Sequence, residues 1–173
     1  MSISLVLGGA RSGKSRYAEN LAKAAAQTVV YVATAEVRDE AIQARVELHQ
    51  ADRPEYWQTV ESPLQLAETL KRHASENTTL LVDCLTMWIT NLLCAEEAVD
   101  IKGETQDFLE ALATLPGEII LVSNEVGMGI IPMGSLTRDY VDTAGRLHQD
   151  IAHIADHVVL VVAGLPMAFK GKA

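Results

Sequence analysis

The sequence predicts an α/β fold in which one mainly parallel sheet is flanked by helices. Short runs rich in valine, isoleucine and leucine recur along the chain without regular polar–apolar alternation, as expected of strands covered on both faces. Stretches with helical spacing of apolar residues separate these runs, and strands alternating with helices indicate a parallel, doubly wound sheet. The length of 173 residues suits one domain, residues 1–173, with a single core.

The predicted elements alternate along the chain. The first strand covers residues 3–7, and the helix that follows, 14–26, places Tyr17, Leu21 and Ala24 on one face. The other predicted strands are 29–33, 79–82, 119–123 and 157–162. The other predicted helices are 39–49, 63–73, 85–93, 106–113 and 139–155. Residues 164–173 lack periodicity and are predicted to form a loose tail.

Composition and charge exclude several classes of function. The formal net charge of -9 argues against sequence-independent nucleic-acid binding and against anionic membrane surfaces, so an anionic substrate needs a local positive pocket or a metal ion. No apolar stretch reaches the ~18 residues of a membrane span, and Gly8-Gly9 interrupts the first apolar run, which argues against a signal peptide. We therefore expect a cytoplasmic protein. Cys84 and Cys94 lie in apolar surroundings without a C-x-x-C motif and are predicted to be buried, reduced thiols.

A phosphate-binding loop follows the first predicted strand. The pattern G-x-x-x-x-G-K-[ST] is matched by Gly8, Gly13, Lys14 and Ser15. Glycines let backbone N–H groups approach phosphate oxygens, and the following helix presents its positive dipole end. Lys14 supplies charge for the β- and γ-phosphates, and the Ser15 hydroxyl is a ligand for Mg²⁺. The predicted nucleotide contacts are Gly8, Gly9, Ala10, Arg11, Ser12, Gly13, Lys14 and Ser15.

A carboxylate at the end of another strand supports the same reading. Asp83 follows the apolar strand 79–82, which places it at the carboxyl edge of a parallel sheet, where an acid holds the metal in nucleotide-binding proteins. A turn-forming Asp is the alternative. Ser15 and Asp83 are therefore the predicted Mg²⁺ ligands, and the chain is predicted to be a phosphoryl transferase or hydrolase. A GTPase switch is disfavoured because no N-K-x-D segment follows strand 119–123.

Six segments together resemble one enzyme family. They are the loop 8–15, Y-V-A-T-A at 31–35, R-V-E-L-H-Q-A-D-R-P at 45–54, L-V-D-C-L-T at 81–86, S-N-E-V-G-M-G-I-I-P at 123–132 and D-Y-V-D-T-A-G-R at 139–146. Over residues 2–164 the chain resembles the bifunctional adenosylcobinamide kinase / adenosylcobinamide-phosphate guanylyltransferases of cobalamin biosynthesis. Many families share the phosphate loop, whereas H-x-x-x-R-P and N-E-V-G-x-G-I-x-P are more specific. The expected fold is of the P-loop NTPase type, with a RecA-like sheet.

The resemblance implies two reactions. In the first, ATP or GTP phosphorylates the aminopropanol hydroxyl of adenosylcobinamide. In the second, GMP passes from GTP to adenosylcobinamide phosphate, giving adenosylcobinamide-GDP and pyrophosphate. By its place in the motif, His49 is the histidine that carries the guanylyl group, and Lys14 is the second expected catalytic residue. A neutral imidazole is a competent nucleophile near pH 7. The resemblance also implies a homotrimer.

Further residues fall where this family is expected to contact GTP. They are Ala33, Thr34, Ala35, Gln50, Ala51, Asp52, Arg53 and Glu61. Glu61 is able to accept from guanine N1–H and N2–H₂, which gives guanine selectivity; capping of the helix predicted from Pro63 is the equal alternative. Arg53 is either a phosphate or guanine contact or a surface turn residue before Pro54.

Several other features of the sequence have two possible interpretations. The segment 126–132 is either a loop folded onto the core or a flap over the corrinoid with Gly127 and Gly129 as hinges. Arg146 either reaches a phosphate or lies on a solvated helix face. The remaining histidines are expected on the surface. The family often carries Asn-Gln where this chain has His148-Gln149, so we assign no role to His148. These histidines are His73, His148, His153 and His157.

Two other functions compete with the leading one. One is a simple P-loop kinase of small metabolites in which His49 is never modified. The other is a nucleotide-binding regulatory module with little turnover. The H-x-x-x-R-P segment favours the bifunctional enzyme, because a simple kinase does not require it.

Overall fold

The computed structural model describes residues 1–25, 27–36 and 54–173. The strands are β1 Ser2–Gly8, β2 Thr28–Ala33, β3 Gln58–Glu61, β4 Thr78–Asp83, β5 Glu118–Asn124, β6 His157–Val162 and β7 Leu165–Lys170. The helices in the described ranges are α1 Lys14–Ala24, α2 Leu66–His73, α3 Leu85–Leu93, α4 Ile101–Leu112 and α5 Ser135–Ile154. The strands form one seven-stranded sheet in the order β3-β2-β4-β5-β1-β6-β7. All neighbours pair in parallel except β6 and β7, which are antiparallel.

Helices cover the sheet on both faces, and the class predicted from the sequence is confirmed. Helices α2 to α5 pack on one face, where Trp88 and Phe108 are fully buried with ring centroids 5.0 Å apart. Helix α1 packs on the other face through Ala18 and Ala22. Successive residues of a strand point to opposite faces. Both sides of the central strands are therefore apolar, which explains the missing alternation.

The strand order brings the chemically interesting residues to one edge of the sheet. Strand β5 lies between β4, which ends at Asp83, and β1, which ends at Gly8. Because the three strands are parallel, their carboxyl ends meet at this edge, which is the usual ligand-binding edge of such sheets. None of the helices in the described ranges is long and apolar enough to cross a membrane.

Two strands escaped the sequence analysis, and the predicted tail was wrong. Residues Leu165–Lys170 form β7, which pairs with β6 through Val162 and Leu165 beside a tight turn. Every residue of β7 is exposed, so no burial pattern marked it as a strand. Strand β3 is also mostly exposed. Both are edge strands of the sheet.

Helix boundaries differ at several ends. Helix α4 begins at Ile101 and not at 106, because the Asp100 side chain accepts a hydrogen bond from Gly103 N at 3.1 Å and caps the first turn. Helix α5 begins at Ser135 and not at 139, and α2 begins at Leu66 and not at 63. The predicted helix 39–49 lies outside the described residues.

The prediction for the two cysteines holds for one of them. Cys84 is buried, but Cys94 is exposed just beyond the end of α3, so the expectation of a buried thiol there was wrong. Burial is the main cause that raises the pKa of the Cys84 thiol to about 11, with the Asp83 carboxylate adding to the effect. Cys84 is therefore a neutral thiol near pH 7 and not a nucleophile.

Candidate nucleotide site

The phosphate loop connects β1 to α1 in a conformation that only glycine allows at its key position. Gly13 has φ 94°, in the left-handed region, and is the N-cap of α1. A side chain at Gly8 would overlap the Ser12 hydroxyl and lie 2.7 Å from the Val161 carbonyl oxygen. The backbone N–H of Gly164, in the β6–β7 turn, donates to Ser12 O at 2.8 Å and supports the loop from behind. The two motif glycines are therefore required by the backbone itself.

Lys14 gives this loop a buried positive charge. The residue is 9% exposed, and its ammonium donates to Gly9 O at 3.2 Å, its only hydrogen bond within the described part of the chain. A buried ammonium without a carboxylate partner favours binding of an anion. The first turn of α1 also holds no acidic residue and no side-chain cap, so its N–H groups remain available to phosphate oxygens.

Asp83 and the phosphate loop lie on the same face of the sheet. Asp83 is the register partner of Val122, and Val122 belongs to the cluster that packs against α1. In-register neighbours in a parallel sheet point to the same side, so the Asp83 carboxylate points to the face that carries α1 and Ser15. Among the described residues, no group of three or more His, Cys, Asp and Glu side chains is placed to hold a metal ion. A hydroxyl and one carboxylate nevertheless fit Mg²⁺, which takes few protein ligands beside phosphates and water.

Thr34 ties the ends of β2 and β4 together. Its hydroxyl donates to Cys84 O at 2.7 Å and accepts from Cys84 N at 2.8 Å, and the residue is fully buried. Asn91 Nδ2 on α3 donates to Thr34 O at 2.8 Å and to Pro63 O at 3.0 Å. The predicted nucleotide contact Thr34 therefore has its hydroxyl engaged within the protein, and its neighbours Ala33 and Ala35 are half-buried.

Glu61 ends the edge strand β3 and is exposed. It pairs in register with Ala33, and Ser62 N donates to Ala33 O at 2.8 Å. The helix after it starts at Leu66 with Gln65 as N-cap. Glu61 is therefore too far from this helix to cap it, which removes the capping alternative. Its exposed carboxylate has no partner among the described residues and is accessible to a ligand at the carboxyl end of β3.

The end of β5 holds polar residues to which the sequence analysis gave no role. Asn124 pairs in register with Gly8, and Glu125 N donates to Gly8 O at 3.0 Å, so β5 ends directly beside the phosphate loop. The Asn124 side-chain nitrogen donates to Thr86 Oγ1 at 3.2 Å. Asn124 stands in a segment quoted for the family resemblance, but only the strand order places it beside the loop.

His148 is half-buried, so the expectation of a surface histidine was wrong. Its Nε2 lies 2.7 Å from the Ser123 hydroxyl, across the gap between α5 and β5. Burial lowers the pKa of His148, and the Glu125 carboxylate opposes this effect. Ser123 and Asn124 are successive residues of β5, so the Ser123 side chain points away from the face of Asn124, which is the face that carries α1. His148, which contacts Ser123, therefore lies on the face opposite α1. Arg146, on the same helix, is exposed.

The segment after β5 exposes large apolar side chains. The Glu125 carboxylate accepts hydrogen bonds from Gly127 N at 2.8 Å and Met128 N at 3.2 Å, which fixes the start of the loop. Beyond this turn, Ile130 is 97% exposed, so the loop is not folded onto the core at that point. The exposed apolar residues here are Met128, Ile130, Ile131, Met133 and Leu136.

A contiguous group of predicted site residues lies outside the described ranges. It comprises His49, Gln50, Ala51, Asp52 and Arg53. Their assignments remain predictions from the sequence.

Comparison with known proteins identifies sequence relatives over nearly the whole chain. Residues 4–169 match the family model described as cobinamide kinase / cobinamide phosphate guanyltransferase. The chain is 52% identical to the bifunctional adenosylcobalamin biosynthesis protein CobP of Pseudomonas aeruginosa, over 97% of each chain. It is 40% identical to the bifunctional adenosylcobalamin biosynthesis protein CobU of Escherichia coli, over 96% of this chain and 98% of the relative.

Solved structures with the same fold are distant in sequence. The flagellar accessory protein FlaH from Methanocaldococcus jannaschii superposes with a TM-score of 0.54 at 13% identity, covering 99% of this chain and 79% of FlaH. An ATPase of the type III secretion system of pathogenic bacteria superposes with a TM-score of 0.51 at 12% identity, covering 96% of this chain and 57% of the ATPase. At these identities the likeness concerns the fold alone, and it supports the P-loop NTPase architecture.

Proposed function

Since the chain belongs to the cobinamide kinase / cobinamide phosphate guanyltransferase family, we propose that it catalyses both reactions. It phosphorylates adenosylcobinamide with ATP or GTP, and it then transfers GMP from GTP to adenosylcobinamide phosphate. The observation that carries this proposal is the buried ammonium of Lys14, which has no carboxylate partner among the described residues, inside a glycine loop at the N-terminus of α1. That arrangement suits the triphosphate that both reactions consume.

Different groups of the loop are proposed to bind different parts of the triphosphate and its Mg²⁺. The ammonium of Lys14 and the backbone N–H groups of the loop bind phosphate oxygens, except the N–H of Ser12, which donates to Gly9 O at 3.2 Å. Ser15 and Asp83 would hold Mg²⁺, which, when bound, neutralises charge on the phosphate oxygens. Lys14 also stabilises the charge that develops on the leaving group in each reaction.

The kinase reaction joins the alcohol of adenosylcobinamide to the γ-phosphorus. The alcohol oxygen forms a bond to phosphorus, the bond from phosphorus to the β,γ-bridging oxygen breaks, and the nucleoside diphosphate leaves. The alcohol proton is released as H⁺. Positioning and electrostatic stabilisation are the main protein contributions to such a transfer.

The guanylyl transfer proceeds in two steps through His49, by our proposal. An imidazole nitrogen attacks the α-phosphorus of GTP, pyrophosphate leaves, and a phosphoramidate forms. A phosphate oxygen of adenosylcobinamide phosphate then attacks this phosphorus and the P–N bond breaks, so the imidazole is restored. Two inversions at one phosphorus give overall retention of configuration.

The remaining predicted contacts complete a guanine site at the β2–β3 edge. Ala33 and Glu61 are register partners there, and Ala35 follows the end of β2 by two residues. The exposed Glu61 carboxylate accepts from guanine N1–H and N2–H₂, which adenine lacks. Thr34 holds the strand end in place. In the sequence, Gln50, Ala51, Asp52 and Arg53 follow His49 and complete the set.

A homotrimer accounts for the apolar surface on the β7 side, by the same family resemblance. Leu165, Met167 and Phe169 on β7 and Val162 on β6 are all more than half exposed.

The segment 126–132 is proposed as a flap over the corrinoid, with Gly127 and Gly129 as hinges. Its exposed apolar side chains suit a large, partly apolar ring.

The covalent step is tested by labelling. Purified protein is incubated with Mg²⁺ and α-labelled GTP in the absence of corrinoid, and we expect acid-labile, alkali-stable label that peptide mass spectrometry maps to His49. His49→Ala should abolish labelling and GMP transfer while retaining kinase turnover. The matched control is His73→Ala at the end of α2, which should label like the wild type.

Three results would count against parts of the proposal. Tight GTP binding without label would favour a simple kinase, and a loss of kinase and transferase activity together in His49→Ala would contradict the division of labour. Absence of any turnover with adenosylcobinamide would favour a nucleotide-binding module.

A further inference from the structure

A polar atom beside the phosphate loop lacks a hydrogen-bond partner in the part of the chain that the structure describes. The side-chain oxygen of Asn124 is buried and accepts no hydrogen bond from any described residue. Its amide nitrogen is engaged with Thr86 Oγ1 at 3.2 Å, which holds the carboxamide in one orientation. A buried carbonyl oxygen without a donor costs folding free energy, so such an atom calls for an explanation.

The sheet register places Asn124 beside the phosphate loop. By the alternation of strand residues Asn124 falls on the face of Val122, the side that carries α1, while its amide nitrogen donates to Thr86 at the N-terminal end of α3. It pairs with Gly8 at the start of the phosphate loop, and it extends about 6–7 Å past the register partner of Asp83, at the usual rise of a strand. Asn124 therefore lies between the strand of the loop and the strand of the candidate metal ligand.

The missing partner must be a hydrogen-bond donor. A carboxamide oxygen accepts and never donates, so a phosphate oxygen, which is itself an acceptor at neutral pH, does not satisfy it. Two O–H donors belong at this place in a kinase: the alcohol that attacks the γ-phosphorus and a water bound to Mg²⁺. The alcohol is the one that must be oriented for attack, and the two sources are separable by experiment.

We propose that the Asn124 side-chain oxygen accepts the hydrogen bond of the substrate alcohol in the kinase reaction, with Thr86 holding the carboxamide in place. This inference rests on the proposed function, and it names a residue that binds the acceptor of one reaction only. The acceptor of the guanylyl transfer is a phosphate, which offers no O–H at neutral pH. The oxygen is shielded from solvent, so the proposal requires that the substrate displace the groups that cover it.

The test compares the two reactions in one variant. Asn124→Ala should raise the KM for adenosylcobinamide, or lower kcat/KM, by about fivefold to tenfold in the kinase reaction, the range of one lost hydrogen bond. The KM for adenosylcobinamide phosphate in the guanylyl transfer should not change. Thr86→Val, which frees the carboxamide but keeps its oxygen, should give a smaller effect in the same direction. The matched control is Asn20→Ala, at an exposed position of α1.

Comparison of the wild type with the variants distinguishes failure of the inference from failure of the proposed function. A kinase inactive in the wild type overturns the proposed function, whereas an active wild type with an unchanged Asn124→Ala kinase overturns the inference alone. An equal loss in both reactions assigns Asn124 a structural role, and a shifted Mg²⁺ activation constant assigns its partner to a metal-bound water; either result overturns the inference. GTP affinity and the melting temperature of each variant, measured alongside, exclude misfolding.

Discussion

Two loops leave the same edge of the sheet from adjacent parallel strands, and they are built in opposite ways. Gly8 and Asn124 are register partners, so the phosphate loop and the segment 125–134 start side by side. The phosphate loop is held by backbone hydrogen bonds from both its ends and contains a buried ammonium. The second segment is held at its start by Glu125 and at its end by Arg138, whose Nη1 donates to Pro132 O at 3.1 Å, and between these points it exposes large apolar side chains.

The difference reflects the partners that each loop is proposed to meet. Phosphate groups are small and alike, so a loop with fixed N–H directions binds them without rearrangement. A corrinoid is large, and contact with it buries apolar area that water otherwise covers. Exposure of apolar side chains to water is unfavourable in free energy in the unbound protein, and a binding partner that covers them removes this unfavourable contribution.

The largest expected effect is on the rigid loop. Lys14→Ala should lower kcat of both reactions by about 10²- to 10³-fold, the usual cost of removing one group that stabilises transition-state charge. Because Lys14 is a buried cation without a carboxylate partner in the described residues, its removal should not lower the melting temperature. Steady-state kinetics of each reaction and thermal unfolding measure both effects.

An exposed lysine serves as the control for this variant. Lys71→Ala, in the last turn of α2, should leave both kcat values unchanged. A Lys14→Ala enzyme that kept full GMP transfer while losing kinase activity would mean that the loop serves only one reaction.

The rigid loop was predictable from the sequence, and the physical reason is that its chemistry is local. Gly13 needs a left-handed φ and Gly8 has no room for a side chain, so the presence of glycine at these positions indicates the backbone conformation of the loop. Buried strands leave a similar record as unbroken apolar runs, and each of the five predicted strands was found. Asp83 was also read in its proper place, at the end of β4.

The features that escaped either lack a burial pattern or depend on contacts distant in sequence. The edge strands β3 and β7 are exposed, so no burial pattern distinguished them from loops. Asn124 becomes a candidate only because the strand order inserts β5 between β4 and β1. His148 looked like a surface residue until its bond to Ser123 showed that α5 packs it against the sheet.

A smaller effect is expected from the exposed loop. The double variant Ile130→Ser, Met133→Ser should raise the KM for adenosylcobinamide by about tenfold, because losing about 1.4 kcal/mol of apolar burial corresponds to that factor. GTP affinity and kcat should stay near the wild type. Steady-state kinetics with varied corrinoid measure this change, and sedimentation should show the wild-type oligomer.

The matched control lies on the other exposed apolar surface. Leu165→Ser, Phe169→Ser on β7 should alter sedimentation, as expected if these side chains lie between copies of the chain, without a direct effect on corrinoid contact. If instead the loop variant dissociated the oligomer and the β7 variant did not, the roles of the two surfaces would be exchanged.

The smallest effect concerns His148, which supports the base of the second loop from the opposite face of the sheet. Its pKa is lowered in the folded protein, so the unfolded chain takes up a proton first as the pH falls. The stability that this residue contributes is present above its ordinary pKa of about 6.5 and is lost as the pH falls toward the lowered value. His148→Asn should therefore lose less stability than the wild type between about pH 7.5 and pH 5.5 in urea unfolding.

His153→Asn, at an exposed position of the same helix, should keep the wild-type pH dependence, and an identical slope in all three proteins would show that the Ser123 contact does not depend on the charge of His148.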